Sequence, residues 1–291
     1  MTTSCVPPPD VRSEIVGALD VNAAVRLLEE IEQLPAGATG ALLVASSSGP
    51  AGSVFVENGR VCWAVATGMR RRLTDLLRHQ TDPPLEPAVV EDVYRACMQG
   101  GGLLGEELVN RGIVSSDGLR RALRQHTSEA MMLLSRARDE QRPDAWVTHR
   151  RRQYSAKYTF LPSEILVGIA RQRVGPGPLD AHAHLEGILN GSGGGAAFMR
   201  AAGLALPLPV ATYNESLLGV RLIVELGQWA MSSLDLAGVF CSRRQLVTAS
   251  APHGASFMAW EHGGLVFVAL CPERTTFARA LMKSFAQAPG P

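Results

Sequence analysis

Lysine is almost missing from this chain. Of 28 basic residues in 291, only Lys157 and Lys283 are lysines, and the other basic side chains are arginine. The 27 acidic residues bring the net charge to +1. A nucleic-acid binder carries a clear excess of positive charge, so that class is not expected. Aromatic residues make up 5%, too few to interleave the arginines with a base-stacking platform. No stretch reaches the roughly 18 uninterrupted apolar residues of a membrane span. The opening MTTSCVPPPDVRSE lacks a basic start followed by an apolar run, so neither a secretory signal nor a lipid-modified Cys5 is expected. The five cysteines (Cys5, Cys62, Cys97, Cys241, Cys271) are odd in number and never spaced C-x-x-C. That excludes a disulfide frame or a zinc knuckle and predicts reduced thiols in the cytoplasm. There is no phosphate-binding G-x-x-x-x-G-K-[ST], no G-x-S-x-G, no H-E-x-x-H and no G-x-G-x-x-G in a strand–helix context.

What remains is ordinary globular material: 46% apolar and 19% charged, at a length that predicts two domains. Arginine in place of lysine, with abundant Ala, Gly, Leu and Val, suits a GC-rich bacterial genome. Residues 1–12 read as a loose leader around Pro7-Pro8-Pro9. Asp20 could cap a helix carrying Val21, Val25, Leu28 and Ile31 at helical spacing. The runs 41–45, 53–57 and 60–65 read as strands, the last two joined by the hairpin signal Asn58-Gly59. Helices are predicted over 71–79 and 87–98. A helical hairpin follows over 103–134, broken at Gly112 and with its second helix capped at Ser115 or Ser116. Residues 146–160 are strand-like in part, and 163–169 helical. The segment RVGPGPLD, 173–180, is the linker candidate. Beyond it come a short helix at 182–190, a GSGGG turn at 191–195, and strands at 196–201 and 204–210. A long helix at 216–234 leads to strand-like runs at 239–242, 246–251, 255–262 and 265–270. Gly263-Gly264 makes the last hairpin, and a closing helix spans 275–288.

Candidate chemistry is sparse. His182, His184 and Glu186 alternate, but on a helix positions i and i+2 face apart, so solvent-facing histidines are expected there and at His253 and His262. Glu29-Glu30 and Glu106-Glu107 are neighbours on helices and point in different directions, which suits surface charge rather than an acid–base dyad. Arg70-Arg71-Arg72 and Arg150-Arg151-Arg152 either meet an anionic partner or are solvated loops and helix starts balanced by nearby acids. Met131, Met132, Met199, Met258 and Met282 lie among apolar positions and are expected in the core. Trp229 and Trp260 suit either core or interface positions.

Three resemblances bear on function. The order after residue 181 (helix, two strands, long helix, three or more strands, helix) resembles the roadblock/longin family. It is carried by AAFMRAAGLALPLPV (196–210), with Gly203 at the hairpin, and by ASFMAWEHGGLVFVALCPE (255–273). One departure is Ala202-Gly203 where that family usually has Asp-Gly. The resemblance implies a five-stranded antiparallel sheet with helices on it and a dimer face. SVFVENGRVCWAVATG (53–68) followed by a helix is similar to the PATAN-type domains of bacterial response regulators, which implies protein–protein interaction. LLGEELVNRGIVSSDGLRRALRQH (103–126) is similar to a motif of type II secretion ATPase N-terminal domains, some of which bind a cyclic dinucleotide. Here Leu103 stands where those carry Arg, His126 where they carry Gln, and a single copy is present.

Together these readings predict an α+β chain: a PATAN-like α/β meander domain with a helical hairpin at 13–172, a linker at 173–180, and a roadblock/profilin-like domain at 181–291. The expected function is that of a non-catalytic bacterial signalling adaptor, a homodimer that engages a small Ras-like GTPase, with no cofactor or metal. The contacts would be Val220, Val224, Trp229 and Trp260, with Arg70, Arg71 and Arg72. The alternative is a small-ligand or cyclic-dinucleotide sensor built on 103–126.

Overall fold

The computed structural model describes residues 11–81, 84–100, 102–148, 154–174, 180–200, 206–240, 246–250 and 254–286. The chain is α+β, with one four-stranded and one five-stranded antiparallel sheet. Contacts divide it into two compact units. One comprises Glu30–Ile169; the other joins the chain through Glu29 to the chain from Ala170 onward. Two helices run through these division points: α1 (Val11–Glu32) and α6 (Pro162–Val174). Because α1 begins at Val11, Asp20 lies inside it and is not its cap.

In the unit Glu30–Ile169, β1 (Gly40–Ser46), β2 (Gly49–Glu57) and β3 (Arg60–Ala66) form the expected meander. A fourth strand, β4 (Ala145–Thr148), joins antiparallel to β1, giving the order β3-β2-β1-β4. Asn58 and Gly59 both take positive φ, 54° and 74°, which the primed two-residue hairpin turn requires and which these two residue types tolerate. The helices are α2 (Leu73–Arg78), α3 (Pro87–Gly100), α4 (Leu104–Asn110) and α5 (Ser116–Ala137). Gly112, at φ 68°, turns the chain between α4 and α5, and Ser115 Oγ caps α5 by accepting from the Gly118 amide at 3.0 Å. Helix α5 lies on β1, β2 and β3. Leu76, Leu77, Val93, Cys97, Leu108, Val114, Leu119 and Ala122 close a helical core beside the sheet. Helices α5 and α6 approach so closely that a Cβ on Gly168 would lie 2.2 Å from Ser128 Oγ.

In the other unit, α7 (Ala181–Leu189) is capped by Asp180, whose Oδ1 accepts from Ala183 N. Then come β5 (Gly194–Met199), β6 (Leu208–Tyr213), α8 (Val220–Phe240), β7 (Leu246–Ser250), β8 (Ser256–His262), β9 (Leu265–Cys271) and α9 (Arg274–Ala286). The sheet order is β6-β5-β9-β8-β7. Helices α7 and α9 share one face, over Ala197, Met258, Trp260, Phe267 and Ala269. Helix α8 covers the opposite face, where a Cβ on Gly227 would meet Pro207 and Phe198 at 2.6 and 2.7 Å. Phe198 and Phe267 are fully buried, each contributing about 1.5–3 kcal/mol by leaving water.

Several expectations need correction. Gly194 and Gly195 belong to β5, not to the turn, since both pair with β9; glycine suits this stretch because α7 lies so close that a Cβ on Gly195 would press into Leu185 and Leu189. Val239 and Phe240, which look strand-like, continue α8; residues 241 and 242 lie outside the described residues. Met131 and Met258 are buried, but Met282 is 71% exposed on α9. The expected turn at Gly203 and the run Arg150–Arg152 lie outside the described residues.

Candidate functional site

A cleft of about 240 Å³ opens in the unit Glu30–Ile169, lined by Cys62, Trp63, Leu73, Leu103, Leu104, Gly105, Glu106, Leu119, Leu123, Tyr154 and Tyr158. Its parts come from five stretches of chain. Strand β3 supplies Cys62 and Trp63. Neighbours on a regular strand face opposite ways, but the β2–β3 register slips here: Phe55 pairs with Trp63 and Val56 with Val61, leaving Cys62 as the extra residue of a bulge. A bulge re-aims side chains, and both residues reach the cleft. Helix α5 supplies Leu119 and Leu123, one turn apart on a single stripe. The start of α4 supplies Gly105 and Glu106. Gly105 must be small, since a Cβ would sit 2.7 Å from Leu119 Cδ1.

The wall behind Trp63 is the ring of His126, next along the Leu119–Leu123 stripe. The rings stack with centroids 4.1 Å apart and planes 13° apart. His126 is 5% exposed and its Nδ1 has no hydrogen-bond partner among the described residues. Burial pushes its pKa down to about 4, so the ring is neutral at neutral pH. Cys62 is held as an inert thiol, its pKa raised to about 12 by burial, with Glu57 adding to the shift. Tyr158 is fixed by a 2.9 Å hydroxyl contact with Ser116.

Below the tyrosines a polar network ties the chain to α5 and β3. Arg120 meets Glu164 at 2.5 Å, reaches the Lys157 and Thr159 carbonyls, and lies 4.8 Å from the centre of the Phe160 ring. Arg60 donates to Thr159 Oγ1 at 2.7 Å and sits 3.6 Å from Glu164, whose carboxylate also accepts from the Leu161 amide. These contacts satisfy one another and serve to place residues 157–164.

The arginines Arg70, Arg71 and Arg72 flank the start of α2 at the surface. Arg71 pairs with Glu129 at 2.8 Å, and the Arg72 amide donates to Asp75. Of the four residues singled out after the linker, Val220 and Trp260 are buried inside their unit, and Trp260 stacks on Phe267 at 5.4 Å. Val224 and Trp229 lie nearer the surface of α8. A contact through the first two would require the unit to open.

Of the histidines expected in solvent, His182 is exposed, whereas His184 and His262 are half-buried and packed together. His184 and His262 stack 4.5 Å apart with planes 5° apart, against Phe267 and Trp260. The Trp260 indole N–H donates to His184 Nε2 at 3.4 Å, and burial, then the neighbouring His262, lowers the His184 pKa. His182 Nδ1–H donates to the Thr212 carbonyl at 2.7 Å. The two stacked rings come from α7 and β8, which no local pattern joins. His253 lies outside the described residues. Among the described residues no three His, Cys, Asp or Glu side chains gather as a metal site, and no helix is long and apolar enough to cross a membrane.

Comparison with known protein families, with curated proteins and with solved structures finds no match to this chain.

Proposed function

We propose that this chain is a non-catalytic signalling adaptor whose roadblock/longin-like half pairs two copies and engages a small Ras-like GTPase. The observation that supports it most is the arrangement from Ala181 onward. A five-stranded antiparallel sheet is interleaved in chain order as helix, two strands, long helix, three strands, helix, with α8 on one face and α7 and α9 on the other. That order and content are what the resemblance implies. Among the described residues β7 is an edge strand with no neighbour beyond it, and its side chains are half-buried to exposed. Leu236 on α8 is 63% exposed. An open edge beside an exposed apolar residue suits pairing by strand addition. The PATAN-like half would bring a further protein contact, with Arg70, Arg71 and Arg72 as its charged surface.

The test is sedimentation of the intact chain at micromolar concentration, followed by titration with Ras-like GTPases loaded with either nucleotide. A dimer that binds one nucleotide state more tightly is the expected result. A stable monomer sinks the reading.

A second reading has its own support. The cleft is built on Leu103–Leu123, the stretch that resembles a ligand-binding motif, and this favours a small-ligand sensor.

A further inference from the structure

A ligand class for the cleft can be read from its lining, and it rests on the small-ligand reading. The cleft walls are aliphatic and aromatic: Leu73, Leu103, Leu104, Leu119 and Leu123, with Trp63, Tyr154 and Tyr158. Among the described residues the sole charged side chain lining it is Glu106. Three nearby glutamates have partners: Glu107 pairs with Arg111, Glu129 with Arg71, and Glu164 with Arg120 and Arg60. Glu106 is half-buried and makes no ion pair or hydrogen bond with a described residue. It therefore leaves a negative charge facing the cleft with no described protein cation to meet it.

The chemistry of this lining selects by charge. Aromatic faces carry negative potential and attract cations, most strongly when water is excluded. A carboxylate beside them adds to that attraction, and in a partly desolvated setting its effect exceeds that of a surface charge. An anion would meet repulsion from both. A phosphate diester also needs donors, and the leucine at 103 offers none. The volume suits a small molecule of about ten non-hydrogen atoms, below the common range of drug-sized pockets. Trp63 is held from behind by His126, which stays neutral at neutral pH and adds no opposing positive charge.

We propose that this cleft binds a small organic cation, an alkylated or aryl ammonium, with the ammonium held between Glu106 and the aromatic rings and the apolar body against Leu119 and Leu123. The cyclic dinucleotide suggested by the local sequence resemblance is disfavoured by the same lining.

The experiment is a titration of the full chain with three probes of similar size: benzyltrimethylammonium, benzyl alcohol and phenylacetate. The readout is the Trp63 indole N–H resonance, assigned with Trp63→Phe. The cation is expected to shift it saturably in the millimolar range and phenylacetate to leave it unmoved. Glu106→Gln should weaken the cation roughly tenfold, the size of one partly desolvated charge contact, without changing the unfolding midpoint. Leu123→Trp, which fills the cleft, should abolish binding. If benzyl alcohol binds as well as the cation and Glu106→Gln changes nothing, the cationic class is wrong while a ligand cleft survives. If none of the three probes moves the resonance, both fall. Saturable binding of a cyclic dinucleotide that Glu106→Gln strengthens would also overturn the proposal.

Discussion

His126 lies flat against Trp63, 4.1 Å from ring centre to ring centre, with its Nδ1 buried and without a partner among the described residues. The stack is an apolar contact made by a polar ring, and protonation would put a charge where nothing answers it. Folding lowers the His126 pKa from 6.5 to about 4. Between those values the unfolded chain holds the proton and the folded chain does not. The contribution is therefore fully present above about pH 6.5 and is lost as pH falls toward 4, amounting to on the order of 2–3 kcal/mol at the acid end. His126→Phe keeps a ring against Trp63 and removes the titration. Its urea midpoint should fall less than that of the wild type between about pH 7 and pH 5. Equal pH slopes in the two proteins would refute this account.

The lowered pKa of His184 acts with the same sign in the other unit. His184→Gln should reduce the remaining acid sensitivity while the transition followed by Trp63 stays put. A probe of that second unit, such as Trp260 fluorescence, distinguishes the two sites.

Glu164 answers two arginines and one backbone amide at once. Its side chain is 12% exposed and those of Arg120 and Arg60 are 28% and 29% exposed. Glu164→Ala leaves both cations half-buried without their acid, and about 2–3 kcal/mol of stability should go, less than for a fully buried pair. The double substitution Arg120→Ala with Glu164→Ala should recover part of it. Additive losses in a double-mutant cycle would show that the pair is not coupled.

Gly227 is where α8 touches the sheet. An alanine there would gain about 1 kcal/mol of helix propensity but must push against Phe198 and Pro207, at a cost of about 1–3 kcal/mol. A net loss is expected in thermal unfolding. Gly100→Ala, at a site with nothing within 4 Å of the new methyl, serves as the control and should be neutral or slightly stabilising. Indistinguishable behaviour of the two variants would mean that α8 can shift to accept the methyl.

Leu236→Asp places a charge on the exposed side of α8. If copies pair beside that helix, the variant should sediment as a monomer with an unchanged circular dichroism spectrum. A dimer of unaltered affinity would move the interface elsewhere.

The strands were readable because their turns were. Asn58-Gly59 and Gly263-Gly264 both sit at positive φ, and their flanking runs became β2–β3 and β8–β9. Helix ends were less readable. Val and Phe are residue types common in strands, yet α8 continues through Val239 and Phe240 because a helix already formed extends at little cost. The division of the chain at Glu29 and Ile169 has no local sign either, since α1 and α6 run on without a break. The cleft was half legible: Leu103–Leu123 showed itself as a helical hairpin, while Trp63, Tyr154 and Tyr158 arrive from segments with no period linking them to it. The same holds for His184 and His262, which only tertiary packing brings together.

The two rims of the five-stranded sheet are not equivalent. Along β6 the carbonyls of Val210 and Thr212 already accept hydrogen bonds from Arg171 and His182, so a newcomer finds those acceptors occupied. Along β7 no further strand follows among the described residues. A sheet that can grow at both ends can propagate into a fibre, whereas one sealed on one side has a single place to add and, once two copies meet there, nowhere left to continue. If copies pair along β7, the Arg171 and His182 side chains held on β6 work against growth of the sheet beyond a closed pair.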